Sequence, residues 1–297
     1  MRKLTTIILI LCLTTLVSGQ FFAPNQKPCL GLQVNWGHPL ARGLVGLWLF
    51  NEGSGGQVFD LSGNGNNGIA AGTTSEISWQ SGPDGSVVDF VGNAIAYFDV
   101  GITFGATQPF TIIICAERDG TDTEGIVCGN PDGTNDYIWL GYSTTGVYWE
   151  GANDGWDTGN IGLVPVAWNV YAFTSDGKGA NSTRRVYLNG ILVATSAANK
   201  IGSFILKGIG NGYSNAIYAF DGRVKYASAY NRILSASEVA LRYREPFCMF
   251  DQGIPVSQMY DYGAPPGVVV TPYYYRGAIF IPIFGLWYYL RRQRCAA

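Results

Sequence analysis

Between Leu44 and Asn231, short runs of β-branched and aromatic residues alternate with turn residues roughly every 8 to 15 positions. The first half of this pattern predicts strands over Leu44–Phe50, Gly68–Ala71, Val87–Phe90, Ile95–Val100, Phe110–Glu117, Ile126–Gly129 and Tyr137–Tyr142. The second half predicts Val147–Trp149, Trp168–Thr174, Arg184–Leu188, Ile191–Ser196, Phe204–Ile209, Ile217–Phe220 and Arg223–Tyr230. Asn189-Gly190 joins two of these runs as a type I′ hairpin turn, because both positions must take positive φ. Alternation at Val186, Leu188, Ile191 and Val193 gives each arm of that hairpin an apolar face. So many short strands at regular spacing imply an all-β sandwich or barrel. One helix breaks the pattern. Ser235 and Glu238 have the spacing of a capping box, and Pro246 ends the segment.

Composition narrows the class. Charged residues are 13% of the 297, against about 25% in an average soluble domain. Aromatics at 14% and 40 glycines exclude an acidic disordered chain and disfavour a helical bundle, whose surfaces need Lys, Glu and Ala. The formal charge of −2 carries no basic surplus, so no nucleic-acid partner is expected.

The two ends read differently from the middle. Arg2-Lys3, the apolar run Leu4 to Val17 and the small residues of Val17-Ser18-Gly19 read as a cleaved signal peptide over residues 1–19. A secreted or cell-surface protein is therefore expected. Residues 20–42 form an N-terminal extension, 43–250 one domain, and 251–297 a Pro- and Tyr-rich apolar tail. Within the tail, Gly277 to Leu290 is apolar, flanked by Tyr273–Tyr275 and followed by Arg291, Arg292 and Arg294. Pro282 and Gly285 interrupt any helix there, so segment 268–290 reads as a strand or hook packing on this domain or a neighbouring subunit, with membrane contact as the alternative. A homo-oligomer would follow from packing on a neighbouring subunit. Cys115 ends the run Thr111–Cys115 and Cys128 the run Gly125–Cys128, within two successive predicted strands, so they either form a cross-strand disulfide or stay as buried thiols.

Three passages, in order, carry a family resemblance. They are Gly43-Leu-Val-Gly-Leu-Trp-Leu-Phe-Asn-Glu-Gly-Ser-Gly55 with Asp60-Leu-Ser-Gly-Asn-Gly-Asn-Asn-Gly68, then Val186-Tyr-Leu-Asn-Gly-Ile-Leu-Val193, then Phe220 to Val239 with its Leu-Ser-x-x-Glu cap. Together they resemble laminin-G-like (LamG) domains of the concanavalin A-like lectin/glucanase superfamily. The flanks Asn35–Gly43 and Tyr243–Phe250 are similar to phage-associated or environmental members. The resemblance implies a two-sheet antiparallel jelly-roll sandwich with one short C-terminal helix. It also implies a structural calcium at the Asp60 turn, with Asp60, Asn64 and Asn66 as ligands and Asp221 completing the site. The alternative is that Asp60 and Asn66 bond their own turn as Asx motifs.

Catalytic chemistry is poorly represented. The glucanase branch spaces its acids Glu-x-Asp-x-x-Glu, and the nearest passage, Glu117-Arg-Asp119-Gly-Thr-Asp122-Thr-Glu124, misplaces the third acid. His38 is the only histidine, and no nucleophile triad or metal-spaced cluster accompanies it. No enzyme is expected. Sugar recognition needs an aromatic face for the C–H side of the ring and polar groups for its hydroxyls. Trp149, Asn153, Asp154, Trp156 and Asp157 supply both within a few residues. By alternation, Trp139 and one of Tyr148 or Trp149 are expected to face the core. The expected function is a non-catalytic exported module that binds a glycan or a protein surface. A structural or assembly component of a virion or cell surface is the alternative, and a glycoside hydrolase fits less well.

Overall fold

The structure, a computed structural model, describes residues 26–28 and 31–250. Positions 83, 93, 120–124, 133–135, 143–145, 152–153, 163–165, 198–199, 201 and 212–217 within that span lie outside the description, as do residues 1–25, 29–30 and 251–297. The expected signal peptide and the tail fall outside it.

In chain order the strands begin with β1 (Leu44–Trp48), β2 (Gln57–Val58), β3 (Gly68–Gly72), β4 (Ile77–Gly82), β5 (Gly85–Phe90) and β6 (Ala96–Phe104). Next come β7 (Phe110–Arg118), β8 (Gly125–Gly129), β9 (Tyr137–Tyr142), β10 (Gly146–Gly151) and β11 (Asp154–Asn160). The last are β12 (Asn169–Ser175), β13 (Arg184–Leu188), β14 (Ile191–Thr195), β15 (Phe204–Ile209) and β16 (Gly222–Tyr230), before helix α1 (Ala236–Arg244). The first sheet runs β14-β13-β12-β7-β16-β5-β4, with β1 paired to the second half of β16. The second runs β11-β10-β9-β8-β15-β6-β3-β2. Together they make the antiparallel sandwich that the strand pattern and the family resemblance imply.

Two apolar layers hold this arrangement. Between the sheets, Phe98, Phe104, Phe110, Trp149, Phe173 and Phe204 interlock, with the Phe104 and Phe110 rings stacked 4.6 Å apart. A second layer covers the outer face of the first sheet. There Leu40, Leu47, Leu49, Leu234, Val239, Phe247 and Phe250 pack on Ile113, Cys115, Ala172, Tyr226 and Tyr230. Each buried aliphatic or aromatic side chain contributes roughly 1.5–3 kcal/mol by leaving water. Val34 bridges Phe250, so the N-terminal extension and the end of the domain close this layer together.

Local signals behave as the chemistry requires. Asn189 and Gly190 take φ of 51° and 82°, and Ser235 and Glu238 make both bonds of the capping box. Other expectations need correction. Cys115 and Cys128 are free thiols, because β7 and β8 belong to different sheets: Cys115 faces the covering layer and Cys128 the inter-sheet core. Burial raises both pKa values, that of Cys115 to about 12. The hairpin's second arm is largely in solvent, with Ile191 69% exposed, since β14 ends its sheet. Tyr218 to Phe220 form a turn and one isolated bridge rather than a strand. Three strands carry no clear apolar alternation: β2 is two residues long, while β4 and β11 end their sheets and are mostly exposed or half-buried.

Candidate functional site

Among the described residues, the outer face of the second sheet has no counterpart of the layer that covers the first. Its side chains follow from alternation. On β9, Ile138 and Leu140 are fully buried, so Tyr137 and Trp139 point outward, and Trp139 does not join the core as alternation alone suggested. On β10, Val147 and Trp149 are inside and Tyr148 and Glu150 face out. On β6, Phe98 and Val100 are inside, leaving Tyr97 and Asp99 on the outer face. Tyr218, from the turn before β16, joins them. These five aromatics are all half-buried.

They form a connected surface. Tyr148 stands opposite Trp139 in register, and its ring lies 6.1 Å from that of Tyr137 at 28°. Trp139 and Tyr218 have centroids 4.6 Å apart. Glycine lets two of the rings lie flat. A Cβ on Gly155 would collide with the Tyr148 phenol, and one on Gly208 would sit 3.2 Å from Cδ2 of Tyr97. From Tyr97 on β6 to Tyr148 on β10 the surface crosses four strand spacings, roughly 19 Å.

Charge on this face is mostly negative. Asp99, Asp132 and Asp157 surround it, with Glu150 on the same side but buried, while Lys207 is paired with Asp132 and lies 3.8 Å from Asp99. The Asp132 hydrogen bond holds the Lys207 ammonium above its ordinary pKa. Arg184 lies beneath, donating to the Trp149 and Asp154 carbonyls at 3.1 and 2.7 Å, with burial pulling its pKa down to about 10.

The residues singled out from sequence fall elsewhere, with one exception. Trp149 is 0% exposed, packed edge-on against Phe110 and Phe173 with Arg184 over its ring, so it cannot meet a ligand. Trp156 pairs with Trp149 and packs partly buried on the same inner side. Asp154 is held by Lys200 at 2.8 Å, and Asn153 lies outside the described residues. Asp157 stands opposite Tyr148 on the aromatic face and accepts from the Gly159 N–H. Sequence reasoning missed Tyr97, Tyr137, Trp139, Tyr148 and Tyr218. The aliphatic phase of Ile138, Leu140 and Val147 was the available signal.

The Asp60 turn does not fit calcium. Asp60 Oδ1 accepts from the Leu47 and Ser62 N–H groups, and Oδ2 from the Ser62 hydroxyl and the Asn66 N–H, at 2.8–3.0 Å. The Asn64 and Asn66 amides donate to the Leu44 and Val45 carbonyls, stapling the turn to β1. These are Asx-type bonds, and they engage the carboxylate that a hard cation would need. Asp221 sits apart, near Asp89 and Asp119, with burial raising its pKa. Among the described residues no group of three or more His, Cys, Asp or Glu could hold a metal ion. His38 caps a 3-10 turn through Nδ1, and Glu117 pairs with Arg223 at 2.8 Å.

The family model described as the concanavalin A-like lectin/glucanases superfamily matches residues 92–240. No curated protein sequence matches the chain. Among solved structures, domain 4 of AbnA, a GH43 extracellular arabinanase from Geobacillus stearothermophilus in complex with arabinotriose, is similar at 18% identity and TM-score 0.51. That match covers 66% of this chain and 96% of the domain. The binding domain of Paraclostridial Mosquitocidal Protein 1 matches at 17% identity and TM-score 0.48, over 69% of this chain and 52% of that one. A Trypanosoma rangeli sialidase matches at 17% and 0.49, over 70% of this chain and only 33% of the sialidase.

Proposed function

Because the chain belongs to the concanavalin A-like lectin/glucanases superfamily, we propose that it is an exported, non-catalytic module that binds a neutral oligosaccharide on the aromatic face of its second sheet. The observation that carries this reading is the half-buried aromatic set Tyr97, Tyr137, Trp139, Tyr148 and Tyr218 on a face that no described segment covers. A sugar ring stacks its C–H side on such rings and offers its hydroxyls to nearby carboxylates and amides. At roughly 5 Å per strand spacing, the platform accommodates a short chain rather than one residue. The excess of carboxylates over cations disfavours acidic sugars. The arabinanase domain of similar fold, solved with a short neutral oligosaccharide, supports the same ligand class.

Non-catalytic action is supported by the carboxylates themselves. Asp99 and Asp132 are drawn into the Lys207 ion pair, whereas glycoside hydrolysis needs one carboxyl held protonated across from a second. The test is a glycan screen of the full chain covering neutral arabino-, xylo- and gluco-oligosaccharides and their sialylated or uronic counterparts. Binding to a neutral class, reduced about tenfold in Trp139→Ala, is the expected result. Retention only of acidic glycans would overturn it.

A second reading, self-association as a structural component, is favoured by a different observation. Ile191, Leu192 and Tyr243 are 69%, 47% and 42% exposed, and Ile191 and Tyr243 line an open groove of about 440 Å³ between the hairpin tip and α1. Sedimentation of the full chain and of Leu192→Glu distinguishes the two readings: a concentration-dependent oligomer lost in the variant supports assembly.

A further inference from the structure

The covered face of the first sheet holds a polar cluster that apolar packing does not explain. Helix α1 turns Arg242 toward β16, where it is 1% exposed within the layer built around Val239 and Leu234. Its Nη2 reaches the Ser228 hydroxyl only at 3.5 Å, and its Cζ lies 5.7 Å from the Tyr226 ring centre. Among the described residues Nε and Nη1 have no acceptor. Tyr226 and Tyr230 are 2% and 0% exposed; the Tyr226 hydroxyl neighbours the Cys115 thiol and the Tyr230 hydroxyl the Ser228 hydroxyl, but among the described residues neither has a partner in hydrogen-bonding geometry. Burial raises the pKa of both phenols, keeping them as neutral donors, and the guanidinium acts on both electrostatically.

A guanidinium out of water needs a counter-charge or a full set of acceptors, and a cation–π contact replaces only part of that. No carboxylate is paired with Arg242 among the described residues. The hydroxyls gathered here can all donate beside one fixed positive charge, so the complement that satisfies them together is an anion. The enclosure of all three side chains restricts it to a small one.

We propose that Arg242, Tyr226, Tyr230 and Ser228 form a buried site for a small monovalent anion of the halide class, chloride in ordinary solution. The ion ties α1 to β16 and completes the covering layer. It is independent of the glycan reading.

The experiment is thermal unfolding of the full chain in chloride, bromide, formate and gluconate at matched ionic strength, with crystals grown in bromide for anomalous scattering. A saturable rise of about 5–10 °C in chloride and bromide over gluconate is expected at a hundredfold excess over the dissociation constant. A bromide peak between Arg242 and the two phenols should accompany it, and Arg242→Met should abolish the rise. If that variant does not fold, the wild-type titration and the bromide peak decide alone. Equal melting in chloride and gluconate, or a peak without a thermal effect (an adventitious ion only), would overturn the proposal. So would a rise that survives in Arg242→Met. A larger rise in formate than in either halide would overturn the halide assignment.

Discussion

The two outer faces of this sandwich carry aromatic residues in opposite circumstances. On the first sheet, Tyr187, Tyr226 and Tyr230 lie under α1 and the Val34–Leu49 and Phe247–Phe250 segments and are at most 5% exposed. On the second sheet, Tyr137, Trp139 and Tyr148 stand on the open face and keep part of their surface in water. Covered aromatics serve stability, because burial is their reward. Open ones lying across glycine leave a ring face for something else to bury. The difference gives one face a folding role and leaves the other free for the recognition proposed above.

The comparison breaks most readily on the covered side. Phe247→Ala should cost about 3–5 kcal/mol of stability and leave glycan affinity unchanged in the folded fraction, as denaturant unfolding and calorimetric titration would read. Asp60→Ala, which frees four donors that bind the 60–66 turn to β1, should cost about 2–3 kcal/mol, while chelator leaves the wild-type melting temperature unmoved. A chelator-sensitive melt would restore calcium to that turn. On the open side the effects invert. Trp139→Ala should lower affinity about tenfold, near 1.4 kcal/mol, with a smaller change in stability than Phe247→Ala.

Solution pH separates the faces further. Beside the covered face, Lys27 donates to the Phe50 and Ser86 carbonyls, and burial lowers its pKa from 10.5 to about 7. Between those values the unfolded chain binds the proton and the folded one does not. Stability should therefore rise with pH above 7, by up to about 1.4 kcal/mol per unit. The raised pKa values of Cys115 and Cys128 act oppositely above pH 9, because the unfolded thiols ionise first. A melting temperature that climbs from pH 7 to 9 and then levels or falls is expected, and Lys27→Met should remove the climb. The smallest effect belongs to the open face: Asp132→Asn should improve binding of a sialylated glycan a few-fold relative to its neutral counterpart.

Much of the sandwich was legible because buried strands advertise themselves. β7 and β12 are apolar or β-branched nearly throughout, and the Ser235–Glu238 box and Asn189-Gly190 turn are local devices that need no tertiary information. β4 and β11 were not legible, since a strand that ends a sheet pairs through its backbone while its side chains stay polar. The facing of the aromatics was misread for a related reason. In Tyr137-Ile-Trp-Leu and Tyr148-Trp149 both phases are apolar, so alternation alone cannot say which aromatic is core. The aliphatic residues decide it: Ile138, Leu140 and Val147 fill the space between sheets and carry Trp149 inward with them. The cysteine pairing failed because adjacency in sequence did not reveal that the chain crosses from one sheet to the other between β7 and β8.

The most direct test is to follow the indole and backbone N–H signals of the full chain while titrating neutral oligosaccharides, arabinotriose among them. The Trp139 signal should shift saturably while Trp149 stays silent, and Trp139→Ala should move the shifts of Tyr137 and Tyr148 to about tenfold higher ligand concentration. Shifts at Trp156 or along β14 with Trp139 unmoved would contradict the assignment of recognition to the open face of the second sheet.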